Sequence, residues 1–214
     1  MAADYRKLVA ELLAFHDFKG KTVLTVGAGG GRLVEYGRGA GRVLALDNDA
    51  RALDELRKSA KAAGLEDKFE PILGDFFEVD LGADIVLFEF CLHEMSDPGA
   101  AVERALGMAP AVVVFDHWLD SEWTYVAGEE EKVAASWAAL ARFPIVKKER
   151  RETVQFFSDY GELFEKVKGQ GETALARIAG FRGKTGIRIP MSYGLALVAG
   201  RHDEATVVNP LPRR

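Results

Sequence analysis

At 214 residues, with 48% apolar and 29% charged side chains, the chain has the size and composition of one ordinary globular domain and can bury roughly 70% of its unfolded surface. Collagenous, mucin-like and largely disordered classes are excluded. Its 28 basic and 33 acidic residues leave a net charge of −5, which is no footprint for nucleic acid, and its single cysteine, Cys91, forms no internal disulfide.

The opening MAADYRKLVAELLAF scatters charge where a signal peptide needs an apolar core, and no apolar run approaches the 18 or so residues of a membrane span. The expectation is a cytoplasmic protein without a membrane partner. Tyr5, Leu8, Val9, Leu12 and Leu13 recur at helical spacing, giving a first helix that packs and carries no chemistry. From Lys21 onward short apolar runs alternate with amphipathic stretches, and strands are expected over 21–26, 42–46, 70–73, 84–90 and 111–115. Asp49 caps a helix with the stripe Leu53, Leu56, Ala60 and Ala63, stopped by Gly64, and Asp97-Pro98 opens another. Strands separated by helices require crossovers, hence a parallel sheet.

The last third carries a helix around Val133, Trp137 and Leu140, then an edge-region strand over 145–157 with one wet face. Ser158 or Asp159 caps a helix with Tyr160, Leu163, Phe164 and Val167, broken by Gly169 and Gly171. A final strand over 187–198 is interrupted by Pro190, and the tail NPLPRR is a frayed end.

The most informative segment runs from Val23 to Leu33, an apolar strand entering Gly27-Ala28-Gly29-Gly30-Gly31 and then a helix. Glycine lets such a loop turn sharply and lets a ligand touch the backbone, and a helix start beyond it favours phosphate or carboxylate. A plain strand-to-helix connector has the same appearance in isolation. Spacing narrows the ligand: a dinucleotide fingerprint needs glycine or alanine three residues after its second glycine, where this chain has Arg32.

Glycines at Gly27, Gly29 and Gly31 resemble the first motif of the class I S-adenosylmethionine-dependent methyltransferases. The resemblance continues through Asp47 at the end of the second strand, Gly74-Asp75-Phe76 after the third, and Ala83 to Met95 around the fourth, which is similar to the ubiquinone and menaquinone methyltransferases. It covers residues 20–116. It implies a Rossmann-like, doubly wound α/β fold with a seven-stranded sheet, mostly parallel with an antiparallel last strand. It also implies one domain over 1–214, with the first helix in 1–18, a cofactor-binding half in 20–116 and an acceptor-side half in 117–200.

The cofactor implied is S-adenosylmethionine, on Gly27, Ala28, Gly29, Gly31, Asp47, Asn48, Asp75, Phe76, Glu89 and Phe90. Asp47 would grip the ribose hydroxyls, a carboxylate being an acceptor for two hydrogen bonds from a vicinal diol, unless it merely caps the next helix. Asp75 would accept from the adenine amine, although Gly-Asp also marks ordinary turns. One departure stands out. The family carries an acid two residues before the first glycine, and this chain has Thr25. Glu89 is the substitute charge for the cofactor's amino group, or else a buried acid satisfied by the backbone.

Two histidines, His93 and His117, follow the fourth and fifth strands, where open α/β sheets bind ligands. Each is a candidate for acceptor contact or base catalysis, against a structural role. His16 and His202 fall in solvated positions. Trp118, Trp123, Tyr125, Phe157 and Tyr160 form either an aromatic lid or plain core. Lys147 to Glu152 mixes signs and reads as a solvated strand face. His93, Glu94, Asp116 and His117 contain enough ligands for a divalent ion, but their spacing matches no metal motif, so no metal is expected. Cys91 in an apolar strand is a buried, inert thiol.

The function that follows is methyl transfer to a small-molecule acceptor, with no nucleic-acid partner. An NAD(P)-dependent oxidoreductase and a non-catalytic nucleoside-binding module are the alternatives. The acceptor's identity and the oligomeric state stay open.

Overall fold

The computed structural model describes residues 4–199, so the NPLPRR tail and His202 lie outside the described residues. Seven strands form one sheet: β1 Thr22–Val26, β2 Arg42–Asp47, β3 Phe69–Leu73, β4 Ile85–Glu89, β5 Ala111–His117, β6 Ile145–Asp159 and β7 Thr185–Ala199. The helices are α1 Tyr5–Phe15, α2 Ala50–Ala62, α3 Pro98–Met108, α4 Glu122–Ala127, α5 Glu130–Leu140, α6 Tyr160–Val167 and α7 Glu172–Ile178. No helix among the described residues is long and apolar enough to cross a membrane.

The strand order is β3-β2-β1-β4-β5-β7-β6. Strands β1 to β5 pair in parallel, and β7 runs antiparallel to both of its neighbours, β5 and β6. This is the mostly parallel sheet with an inverted last strand that the resemblance implied. Helices cover both faces, so the inner strands are apolar on both sides: Val23, Leu24, Val43, Val86, Leu87, Val112 and Val113 are each fully buried. On one face α1, α2, α6 and α7 pack around Leu12, Leu53, Leu163 and Ile178, and on the other α3 and α5 pack around Val102, Val133 and Leu140.

The caps fall where side-chain chemistry places them. Asp49 accepts from the Arg51 N–H at 2.8 Å, Asp97 from Ala100 at 2.9 Å and Asp159 from Glu162 at 2.9 Å. Gly64 follows α2 with φ +66°.

Gly169 and Gly171 break the helix as expected: α6 ends at Val167, and a separate helix, α7, starts at Glu172. Three local expectations need correction. The chain beyond the glycine loop forms only a short 3-10 helix, Val34–Arg38, so no α-helix N-terminus faces the loop. Pro190 does not interrupt β7. It pairs with Val154 of β6 in a stretch beyond Tyr193, where β5 has ended, so the second edge needs no N–H from it. His16 is half-buried rather than solvated, its ring edge-on to Phe18 at 5.4 Å.

The antiparallel β5–β7 seam is pinned where β7 passes under two tryptophans. A Cβ added at Gly194 falls 2.5 Å from the Trp137 ring and closer still to Trp118. Overpacking of this kind costs about 1–3 kcal/mol. Gly194→Ala is expected to lower the unfolding free energy by that amount, read as a lower urea midpoint, with a shift in tryptophan emission, since the two indoles meet at 4.6 Å.

Candidate active site

The strand order reverses between β1 and β4, and the carboxyl ends of the strands open there into a cleft. Gly27, the first residue past β1, borders both halves of it. It has φ +66°, and a Cβ on it would lie 2.5 Å from Cys91 Cβ and 2.8 Å from Cys91 Sγ. Both facts require glycine. Cys91 is held there by its thiol, which donates to the Val26 carbonyl at 2.9 Å, and by the turn at Phe90. Phe90 has φ +50°, the one positive φ outside glycine among the described residues.

The smaller half, about 390 Å³, is lined by Asp47, Asn48, Gly74, Asp75, Phe76 and Phe77, among others. Asp47 Oδ2 accepts the Gly29 N–H at 2.8 Å, and Oδ1 accepts the Asp49 N–H at 2.9 Å. The carboxylate thus ties the glycine loop to the end of β2, and each oxygen retains acceptor capacity toward the cavity. Asp47 is not the helix cap, since Asp49 fills that position. Asp75 Oδ1 accepts from the Phe77 N–H at 2.8 Å, which fixes the loop after β3. Phe76 is buried and packs edge-on to Phe88.

The larger half, about 620 Å³, is walled by Glu89, Phe90, His117, Trp123 and Lys166 together with the glycine loop. Tyr5 and Leu8 extend the wall from α1, so the first helix closes the cleft as well as packing on the sheet. Arg32 joins them and donates to Tyr5 Oη at 3.1 Å.

Thr25 is 1% exposed and, as a threonine, presents no charge to a ligand. The acid of this region is Glu89. Burial, and next the charge of Asp47, push its carboxyl up to about 8. The buried Tyr36 hydroxyl is raised first by burial and then by Glu89, against a lowering contribution from Thr25. A buried acid in this state calls for a cation or a donor from the ligand.

The two histidines diverge. His117 is buried, lines the larger cavity and leaves Nδ1 without a partner, and burial lowers it to about 4. His93 lies in the 3-10 turn Leu92–Glu94, outside the cavity wall. Asp116 organises both: Oδ1 meets His93 Nδ1 at 2.6 Å and accepts the His117 N–H at 2.8 Å, while Oδ2 accepts the His93 N–H at 3.0 Å. Burial alone would lower His93, but the bonds to Asp116 and Glu94 and the charge of Glu129 outweigh it and raise it to about 10. The His93 hydrogen bond in turn holds Glu94 down at about 2.

The sequence offered Asp116 only as one of four possible metal ligands; its role between the two histidines could have been found from its place as a lone acid inside the apolar run of β5. Glu129 could not, because the left-handed turn at Gly128, φ +75°, swings it toward His93. The aromatic lid does not assemble: only Trp123 of the five aromatics lines the cavity, stacked on Phe157 at 5.7 Å, while Tyr125 is 55% exposed under Arg177.

A family model described as a methyltransferase domain matches residues 24–109. No curated protein matches the chain significantly. Among solved structures, a putative methyltransferase from Bacillus halodurans has a TM-score of 0.65 at 15% identity, covering 89% of this chain and 97% of its own. A SAM-dependent methyltransferase from Aquifex aeolicus has a TM-score of 0.58 at 18% identity, covering 92% and 91%. A precorrin 8W decarboxylase from Methanobacterium thermoautotrophicum has a TM-score of 0.58 at 12% identity, covering 90% and 89%. These similarities show that the fold is shared across nearly the whole chain. They carry no acceptor.

The raised Glu89 sets a pH signature for the free protein. Native Glu89 keeps its proton up to about 8, whereas the unfolded chain releases it near its ordinary 4.5. The native state therefore binds the extra proton in this window, and stability falls as pH rises through it. Relative to Glu89→Gln, the wild type is expected to lose stability between about pH 5 and about pH 8, read from urea unfolding at each pH.

Proposed function

We propose that the protein transfers the methyl group of S-adenosylmethionine to a small, negatively charged acceptor. The observation that carries this reading is the division of the cleft at Gly27. One side offers Asp47, Asn48 and Asp75 to a nucleoside, and the other offers Glu89 to an ammonium next to a separate 620 Å³ cavity. That volume is in the range of small-molecule sites. S-adenosylmethionine supplies a sulfonium methyl that is open to in-line displacement.

The chain's own work is alignment and exclusion of water. Asp47 receives the ribose hydroxyls on the oxygen lone pairs that its two backbone bonds leave free. Glu89 gives up its proton and pairs with the cofactor's ammonium, taking the place of the acid absent at Thr25. Phe90, turned into the cavity wall by its left-handed backbone, and Trp123 bound the acceptor and keep bulk water away.

Neither histidine is tuned as a base at neutral pH, with one near 4 and the other near 10. An acceptor that arrives ionised needs none. Lys166 supplies the matching charge at the cavity: it makes no ion pair among the described residues, and desolvation, then Arg32, lowers its amine. His117 contacts the acceptor as a neutral imidazole. The oxidoreductase alternative lacks support, because Arg32 faces the cavity where a pyrophosphate-binding loop needs a small residue.

Calorimetry tests the reading. S-adenosylmethionine is expected to bind, and NADH is not. Asp47→Ala and Glu89→Gln should each weaken the cofactor about 10-fold or more, a loss of about 1.4 kcal/mol. Wild-type binding near neutral pH should release one proton from Glu89, seen as a heat that varies with the buffer's ionisation enthalpy, and Glu89→Gln should abolish that release. Tight NADH binding with no response to S-adenosylmethionine overturns the assignment.

A further inference from the structure

Three side chains converge behind the acceptor cavity from separate elements: His93 from the turn after β4, His117 from the end of β5 and Glu129 from the turn between α4 and α5. One ligand atom of each lies within 4.8 Å of the others, and all three residues are buried. The surroundings leave these atoms facing inward. Asp116 occupies His93 Nδ1 at 2.6 Å, so Nε2 is the nitrogen turned toward Glu129, 3.8 Å from its Oε2. Glu94 stands 3.5 Å from the same Nε2, its other oxygen tied to Lys132 at 2.8 Å. His117 is 92% buried by its 8% exposure, yet its Nδ1 has no hydrogen-bond partner. Lys166 faces Glu129 and His117 from α6 without forming an ion pair to either.

We propose that His93, His117 and Glu129 form a binding site for one divalent transition-metal ion, with Asp116 as the positioning residue behind His93. Two imidazoles and a carboxylate suit Zn²⁺, or Co²⁺ in its place, and leave a further coordination position. Donors at about 2 Å from a tetrahedral ion are roughly 3.3 Å apart, so side-chain rotations of order one ångström bring the set into range. The carboxylate–histidine–metal arrangement is already built: a ligand histidine normally donates its second ring N–H to an acid, which fixes its tautomer and direction. An ion also gives His117 Nδ1 the partner it lacks. The site borders the acceptor cavity only through His117, and its existence does not depend on methyl transfer.

The test uses the full-length protein stripped of metal with a chelator and titrated with Zn²⁺ by calorimetry, then with Co²⁺ by visible absorption. The expected result is one ion per chain with micromolar or tighter affinity and the intense d–d bands of a tetrahedral Co²⁺ site. Glu129→Gln, which keeps size and shape, should weaken Zn²⁺ at least about 10-fold, and Asp116→Asn by about 10–100-fold. Circular dichroism and S-adenosylmethionine affinity should stay unchanged in Glu129→Gln, showing an intact fold. Absence of stoichiometric binding, or affinity unaltered by Glu129→Gln, overturns the metal site. Loss of cofactor binding with the metal site intact bears on the methyltransferase reading alone.

Discussion

The close approach of Cys91 to Gly27 is the constraint on which the rest of the site depends. Strands β1 and β4 are neighbours, and their ends must separate for anything to bind between the loops that follow them. The chain achieves this by stopping β1 at a glycine in the left-handed region and turning sharply after β4 at Phe90, also left-handed. The Cys91 thiol then closes onto the Val26 carbonyl at 2.9 Å. This contact divides one cleft into two cavities. A thiol raised well above its ordinary range by burial is a packing and hydrogen-bonding group here, with no role as a nucleophile.

Charge in the cleft follows from depth. Asp47 sits at the end of its strand, where both of its oxygens accept backbone N–H groups. Glu89, two strands over at the end of β4, keeps its proton until a cation arrives, because burial raises its carboxyl to about 8. The same logic separates the two histidines. Asp116 lies between them, but it bonds the ring of one and only the backbone N–H of the other, so one imidazole is held as a cation and the other stays neutral. Three carboxylates meeting two imidazoles behind an apolar wall make an arrangement that a fold seldom keeps without a use for it.

Much of the fold was legible because the signals are local. Apolar runs of five to seven residues, Asp49, Asp97 and Asp159 as caps, and Gly64 as a stop each act within one turn of chain. The errors lie where tertiary context overrode local pattern. The run after Gly31 has helical spacing but is drawn in too tightly, with a Cβ on Gly31 coming 3.2 Å from Leu56, and it tightens into a 3-10 turn. The aromatics after β5 were open between a lid and plain core, and local pattern could not choose: Trp118 packs on Gly194, while Trp123 stacks on Phe157 and still lines the cavity.

The sequence by itself determined the strand-and-helix rhythm, the glycine loop and Asp47 at the close of β2, since each rests on residue type and spacing within a few positions. The methyltransferase resemblance grew out of those same local matches. Only the tertiary structure decided that Glu89 is the acid of the larger cavity, that His93 and His117 hold opposite protonation states, and that Glu129 joins them from 36 and 12 residues further along the chain. Burial and proximity set these properties, and both depend on which surfaces the sheet brings together.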